Sequence, residues 1–240
     1  GYDIREVLPE VFRIPVPLAG NPLKELNSYL FRGSRETGKR NLLVDTGFRT
    51  EGCKKALLEG LAQLDVSMED TDILLTHLHA DHSGNAPDLI RPGGKVYISR
   101  EDYRFMDGTL QEHRSERFRE NGIGEDLLQA MLACTPSRTM AAPLSFRDYT
   151  LLEEGDVIPA GQYMLRAIWT PGHTPGHFCF EVCGTGAMLL GDHVLFDITP
   201  NITDWWDVPD SLGDYLRSLD KLAAYPVTLP LPGHRESGDM

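Results

Sequence analysis

Cysteine is scarce in this sequence. Four occur in 240 residues, Cys53, Cys134, Cys179 and Cys183, and no two form a CxxC pair. A disulfide framework is therefore not expected, and the four read as reduced, buried or inert residues of a cytoplasmic protein. Long apolar runs are missing too, so no segment is expected to span a bilayer. The opening stretch GYDIREVLPEVFRIPV carries charges and prolines where a signal peptide needs an apolar core. Its first glycine suggests a trimmed start. Basic residues are outnumbered, with 23 Lys and Arg against 36 Asp and Glu, a formal net charge of -13. Such a surface repels polyanions, so neither nucleic acid nor a membrane is expected as a partner. Bound divalent metals would still create a local cationic site. Internal repeats and low-complexity segments are also absent.

What is present is a chain with 41% hydrophobic residues, enough to bury a sizeable core. VFRIPV, NSYLFR, NLLVD, DILLT and KVYIS read as short strands. Between them, TEGCKKALLEGLAQL spaces Cys53, Ala56, Leu57, Leu61 and Leu64 as one helical face, with Thr50 as its N-cap. Residues 100 to 135 are charged and helical in pattern, broken at NGIG. YTLLEEGDVI, QYMLRAIW, HFCFEVC and GAMLL continue the strands. SLGDYLRSLDKLAAY predicts a helix with Leu212, Tyr215, Leu216, Leu219 and Leu222 on one stripe, and VTLPL a last short strand. Strands and helices mix in both halves, which predicts an α/β or α+β fold with layered sheets.

The histidines are concentrated. Three of the eight lie in THLHADHSG, as His77, His79 and His82, with Asp81 between them. Four strand-like runs end on a metal-ligating residue type: DILLT on His77, AIWTPG on His173, AMLLG on Asp192 and VTLPLPG on His234. Loops at strand ends carry function on a rigid base, and four such ends can converge on one edge. Alternate residues of an extended segment share a side, so His77 and His79 can face one metal. A turn then lets Asp81 and His82 face another. Imidazole and carboxylate ligands suit zinc, iron or manganese. Seven ligands exceed one tetrahedral site, and two metals bridged by Asp192 would use them all. His193 sits beside the better ligand and reads as structural. His177 reads as a core residue or as one that orients the site, and His113 as solvent-facing.

THLHADH, TPGHTPGH, GDH and PGH, in this order over nearly the whole chain, resemble the successive metal motifs of the metallo-β-lactamase fold superfamily. The resemblance implies a four-layer αββα sandwich with the site at one edge, as a single domain over 1–240 with a helical insertion at about 100–143. It puts His77, His79 and His173 on one metal, Asp81, His82 and His234 on the other, and Asp192 between them. NLLVDTG resembles the family's early strand motif. That makes Asp45 a candidate orienter of the site, with a turn residue as a nearly equal reading. Two divalent ions, zinc by preference and otherwise iron or manganese, would lie roughly 3.5–4 Å apart and share a water that ionises near neutral pH. Asp81 is then the catalytic residue, ligating and shuttling a proton. No Ser–His–Asp or Cys–His nucleophile is apparent. The family commonly forms homo-oligomers.

Within the family, TPGHTPGHFCFEV and GDHVLF look most like glyoxalase II and its relatives. The implied activity is hydrolysis of a thioester or ester of a small organic substrate. The helical domain that grips glutathione in glyoxalase II would follow His234, but this chain stops at RESGDM, so a truncated C-terminus is expected. Two other readings stay open: a phosphodiesterase or endoribonuclease on the same fold, and a mononuclear iron redox enzyme like the persulfide dioxygenases. Tyr103, Phe105, Met106, Phe118, Met131 and Met140 either line an apolar pocket or pack on the insertion itself. Trp205 and Trp206, bracketed by Pro200 and Pro209, either line a substrate pocket or pack as a lid.

Overall fold

The computed structural model describes residues 3–240, the side chains of residues 110, 111, 137 and 138 excepted. Among the described residues the strands form two sheets. The first contains β1 (Arg5–Leu8), β2 (Val11–Pro17), β3 (Glu25–Phe31), β4 (Asn41–Val44), β5 (Thr71–Leu74), β6 (Val96–Ser99) and β7 (Thr150–Leu152), side by side in chain order. It is antiparallel from β1 to β4 and parallel from β4 to β7. The second has the order β12 (Leu229–Pro232), β11 (Ala187–Gly191), β10 (Phe178–Val182), β9 (Tyr163–Trp169) and β8 (Val157–Ala160). There only β11 and β12 pair in parallel.

Strand alternation makes the layers. Tyr29, Phe31, Leu42, Val44 and Leu74 face inward from the first sheet and meet Phe178, Phe180, Val182, Ala187 and Leu189 of the second in one buried cluster. Their neighbours Leu30, Leu43 and Ile73 point outward and pack with Cys53, Leu57 and Leu61 of helix α1 (Glu51–Gln63). Cys179, Met188 and Leu190 point outward from the second sheet and pack with Leu222 of helix α8 (Ser211–Ala223). Helix, sheet, sheet and helix thus stack as the αββα sandwich, because side chains one residue apart on a strand serve opposite faces. Thr50 caps α1, its hydroxyl accepting from Cys53 N at 3.3 Å.

The chain between β5 and β7 is helical: α2 (Ala80–Ser83), α3 (Ala86–Leu89), α4 (Arg100–Arg104), α5 (Thr109–Glu120), α6 (Glu125–Ala133) and α7 (Pro136–Thr139), with β6 inside this run. No helix among the described residues is long and apolar enough to cross a membrane.

Three local readings of the sequence change. YTLLEEGDVI is not one strand. It gives β7 to the first sheet and β8 to the second, with a turn at Glu153–Asp156 where Gly155 takes φ +87°. The polar EEGD segment supplies that turn, with Glu153 N donating to Asp156 Oδ2 at 2.8 Å. Arg5–Leu8, unassigned from sequence, is an edge strand, a position that tolerates its charges. On α8 the stripe is displaced. Leu212 and Leu216 are exposed, and the buried face is Ser218 and Leu222, because the Ser218 hydroxyl donates to Pro171 O at 2.8 Å.

Candidate metal centre

The ends of β4, β5, β9, β11 and β12 meet at one edge of the sandwich. Backbone bonds join the two sheets there: Phe178 N donates to Thr76 O at 3.0 Å and Asn27 N to Gly233 O at 2.7 Å. Beyond β5 the chain bends at residues 76–78, which carry His77. His79 takes the N-cap position of α2, without a side-chain capping bond, and that helical turn carries Asp81 and His82.

The side chains gather in two groups, His77, His79 and His173 in one and Asp81, His82, Asp192 and His234 in the other, with ligand atoms within 4.8 Å of one another in each. In the first, His79 Nδ1 lies 3.1 Å from His77 Nε2 and 2.9 Å from His173 Nε2. In the second, His234 Nε2 lies 3.2 Å from Asp81 Oδ2 and His82 Nε2 lies 3.3 Å from Asp192 Oδ1. Oδ2 of Asp192 is 3.5 Å from both His234 Nε2 and His173 Nε2 and so touches both groups. All seven predicted ligands are brought together.

The outer ring nitrogens are anchored on oxygen. His82 Nδ1 donates to Asp45 Oδ2 at 2.7 Å, His173 Nδ1 to Asn201 O at 2.6 Å and His234 Nδ1 to Glu25 O at 2.8 Å. His77 Nδ1 lies 3.0 Å from the Thr76 hydroxyl, which itself donates to Asp45 Oδ2 at 2.8 Å. Protons held on the outer nitrogens leave lone pairs on the inner ones, aimed at each other. A proton or a metal cation between them makes that arrangement favourable.

The electrostatics agree. Burial holds His77 well below the usual imidazole range, holds His79 down to about 3, and lowers His173. These three are therefore neutral, as ligands must be. In the other group burial opposes charge on His82 and His234. Asp192 leads the groups that outweigh it, raising His82 well above its usual range and His234 to about 10. Burial likewise opposes ionised Asp81 and Asp192, and their histidine neighbours outweigh it. Two buried carboxylates thus demand positive charge here. The nitrogen and carboxylate donor set suits zinc, iron or manganese.

Asp45 sits directly after β4 at φ +62°, a strained conformation for a non-glycine residue. From there its Oδ1 accepts from Thr76 N at 2.9 Å while Oδ2 holds His82. His177 is buried, and its Nε2 accepts from Asp192 N at 3.1 Å, so it orients the shared carboxylate. Gly191 permits this approach, since a Cβ there would stand 2.5 Å from His177 Nε2. His193 is buried against Tyr215, ring centroids 5.0 Å apart, outside both groups. His113 is not simply solvent-facing, for it stacks on Trp206 at 4.2 Å.

The two tryptophans part company. Trp205 is buried, donates from Nε1 to His173 O at 3.2 Å, and lies 5.9 Å from the His79 ring. Trp206 is exposed and faces α5. A cavity of about 320 Å³ adjoins His79. Phe105 and Met106 line it, one of the two readings the sequence left open, whereas Met131 is exposed on α6, and Tyr103 and Met140 pack on the outer core.

Two residues escaped the sequence reading. Asp102 of α4 is fully buried and hydrogen-bonds both histidine-bearing loops. Asn27 of β3 donates from Nδ2 to Pro232 O at 3.0 Å and Arg235 O at 2.8 Å, holding the turn around His234. Neither stands in a spacing motif, and Asp102 falls in the stretch 100 to 135 that reads only as charged and helical.

Comparison with known proteins gives a consistent result. The sequence profile of the metallo-beta-lactamase superfamily matches residues 24–234. The lactamase-like protein adaB of Aspergillus niger is 29% identical over 237 residues, covering 97% of this chain and 57% of that protein. Atrochrysone carboxyl ACP thioesterase AgnL7 of Paecilomyces divaricatus is 27% identical over 233 residues, with the same coverages of 97% and 57%. The chain therefore spans little more than half the length of these curated relatives. A crystal structure of a metallo-beta-lactamase family protein from Thermus thermophilus superposes with TM-score 0.81 at 31% identity, covering 96% of this chain and 75% of that one.

Proposed function

This chain belongs to the metallo-beta-lactamase superfamily, and from that premise we propose that it is a dinuclear metal-dependent hydrolase of a thioester or ester of a small organic molecule, of the glyoxalase II-like branch. The observation that carries the reading is the pair of ligand groups meeting at Asp192. His77, His79 and His173 would hold one ion, Asp81, His82 and His234 the other, with Asp192 common to both. Zinc is the first choice for this donor set. The thioesterase named among the relatives supports the choice of bond. The reading takes the whole chain as one domain, with α4–α7 as an insertion beside the site. It places the protein in the cytoplasm, where an exposed thiol such as Cys134 stays reduced.

When bound, the ion pair supplies an ionised water at neutral pH and polarises the substrate carbonyl. The chain supplies the rest. Asp81, whose Oδ2 faces His234, holds the proton and returns it to the departing sulfur or oxygen. His177 and Asp45 keep Asp192 and His82 in register. Trp205 walls one side of His79 and excludes water from it. Addition of water breaks the C–S or C–O bond and yields a carboxylic acid and a thiol or alcohol.

The test is metal content of the purified protein together with turnover of a small thioester panel. Two equivalents of metal with thioester cleavage support the reading. One equivalent of iron, no hydrolysis and oxygen uptake with persulfides would replace it with the redox reading.

A further inference from the structure

Resting on the two-ion reading, we propose that Arg13 is a positioning residue for His234, and that the ion of the Asp81, His82 and His234 group depends on it. Arg13 stands in the middle of β2 and is only 7% exposed. It shares a strand face with Val11, which lies in the cluster between the two sheets. A guanidinium buried there is unfavourable unless its bonds are filled. Nε donates to Asn27 Oδ1 at 2.7 Å, Nη2 donates to Glu25 Oε1 at 2.6 Å, and Nη1 lies 3.8 Å from Glu236 Oε1. Glu236 is shared with Arg5 at the surface, where that pair is solvated.

The two close partners both bear on His234. Asn27 Nδ2 donates to Pro232 O at 3.0 Å and to Arg235 O at 2.8 Å, on either side of the histidine. The backbone oxygen of Glu25 accepts from His234 Nδ1 at 2.8 Å, so Arg13 grips the carboxylate of the residue that fixes the ring. Arg13 needs Asn27 as an acceptor, while Pro232 O and Arg235 O need it as a donor. One amide orientation satisfies all three. A charged donor on Oδ1 also polarises the amide and strengthens both Nδ2–H bonds. Arg235 uses one of them in a left-handed conformation, φ +65°, that arginine rarely adopts. Without Arg13, the Oδ1 of Asn27 becomes a buried acceptor with no partner, since Asn27 is 1% exposed. Tyr29 Oη donates to Pro232 O at 2.8 Å by itself, so loss of Arg13 loosens the turn without releasing it. The first ligand group is anchored elsewhere, His173 Nδ1 on Asn201 O and His77 Nδ1 beside the Thr76 hydroxyl. The effect therefore falls on one ion.

The experiment titrates the metal-free protein with zinc against a chromophoric chelator. Arg13→Met keeps the length of the side chain and removes its donors. It should weaken one of the two zinc steps by about 10–100-fold and leave the other in place. Arg13→Lys restores a charged donor for Asn27 and should recover most of that loss. Asn27→Asp keeps the acceptor for Arg13 but removes both donors, so it should reproduce the loss, and it serves where Arg13→Met does not fold. Arg5→Gln should change neither step. Nitrogen-15 histidine spectra of the metal-free protein give a second readout. The His234 Nδ1 proton, identified by its absence from His234→Ala, should be visible in the parent and in Arg13→Lys and vanish in Arg13→Met and Asn27→Asp. Unchanged zinc steps and an unchanged proton in the Met and Asp variants overturn the proposal. Equal loss of both steps in Arg13→Met and Arg13→Lys overturns it too, since packing alone would do that. A parent that takes a single zinc ion overturns the two-ion reading. The positioning of His234 then stands if Arg13→Met loses the proton and falls if it does not.

Discussion

The Thr174 hydroxyl donates to Oδ2 of Asp102 at 2.9 Å. The same oxygen accepts from Leu78 N at 2.8 Å, and Oδ1 accepts from Gly176 N at 2.7 Å. One buried carboxylate thus ties the turn between His77 and His79 to the loop after His173. Asp102→Ala should weaken metal binding by about 10–100-fold, as loss of a ligand-orienting partner commonly does. Competition with a chelator of known affinity measures it. Parent-like affinity in that variant would remove Asp102 from the site.

Asp102 should also mark the pH dependence of stability. Burial pushes its carboxyl up to about 7, against its three hydrogen bonds. Between about 4, where the unfolded carboxyl ionises, and about 7, the folded chain holds a proton that the unfolded chain has released. Stability of the metal-free protein therefore falls as pH rises through that window and levels off above it. Urea midpoints at pH 5 and 7.5 should show this loss in the parent relative to Asp102→Asn, which cannot titrate. Equal pH slopes in the two proteins would contradict it.

Asp192→Ala should lose both ions and activity together, because the two oxygens of Asp192 reach His82, His173 and His234. Metal analysis of the purified variant is the check. Two ions retained would sink the shared-ligand assignment.

Gly172→Ala should be strongly destabilising, by about 2–4 kcal/mol. The residue takes φ +143°, and a Cβ would stand 2.5 Å from Tyr215 Cβ and 2.6 Å from Tyr215 Cα on α8. That helix covers the loop leading to His173, so metal retention should drop as well. Equilibrium urea unfolding reads the first effect and metal analysis the second.

The thiols should separate by exposure. Cys134 is exposed and Cys179 fully buried, with burial pushing the Cys179 thiol up to about 12. A colourimetric disulfide reagent at pH 8 should label Cys134 within the mixing phase and Cys179 only in denaturant. Rapid labelling of Cys179 in the native protein would contradict the packing of β10 against α8. Of the four cysteines, Cys53 and Cys179 are buried, Cys183 is half-buried and Cys134 is exposed.

Much of this protein was legible in the chain itself. Alternation in HFCFEVC and GAMLL marks strands with two apolar faces, and a sandwich with helices on both sides is what such strands require. Strand ends carrying His77, His173, Asp192 and His234 mark the candidate site, because residue types that can ligate a metal are chemically distinctive and one of their spacings is local. The residues that hold the ligands were far less visible. Asp102 and Asn27 act on backbone groups, and a backbone partner leaves no trace in the partner's residue type. Asp45 was legible only through a resemblance.

Tertiary structure alone decided the rest. It divided YTLLEEGDVI between two sheets, since only long-range pairing can assign each half a partner. It set Trp205 on His79 and turned Trp206 outward to His113, although the two are adjacent and alike. It exposed Leu212 and Leu216 by docking α8 through Ser218 and Leu222. In each case the local sequence states what a segment can bury, while the neighbours available in space decide which face it buries. The candidate ligand set is therefore written in the sequence, and the cavity beside that set is made by the fold.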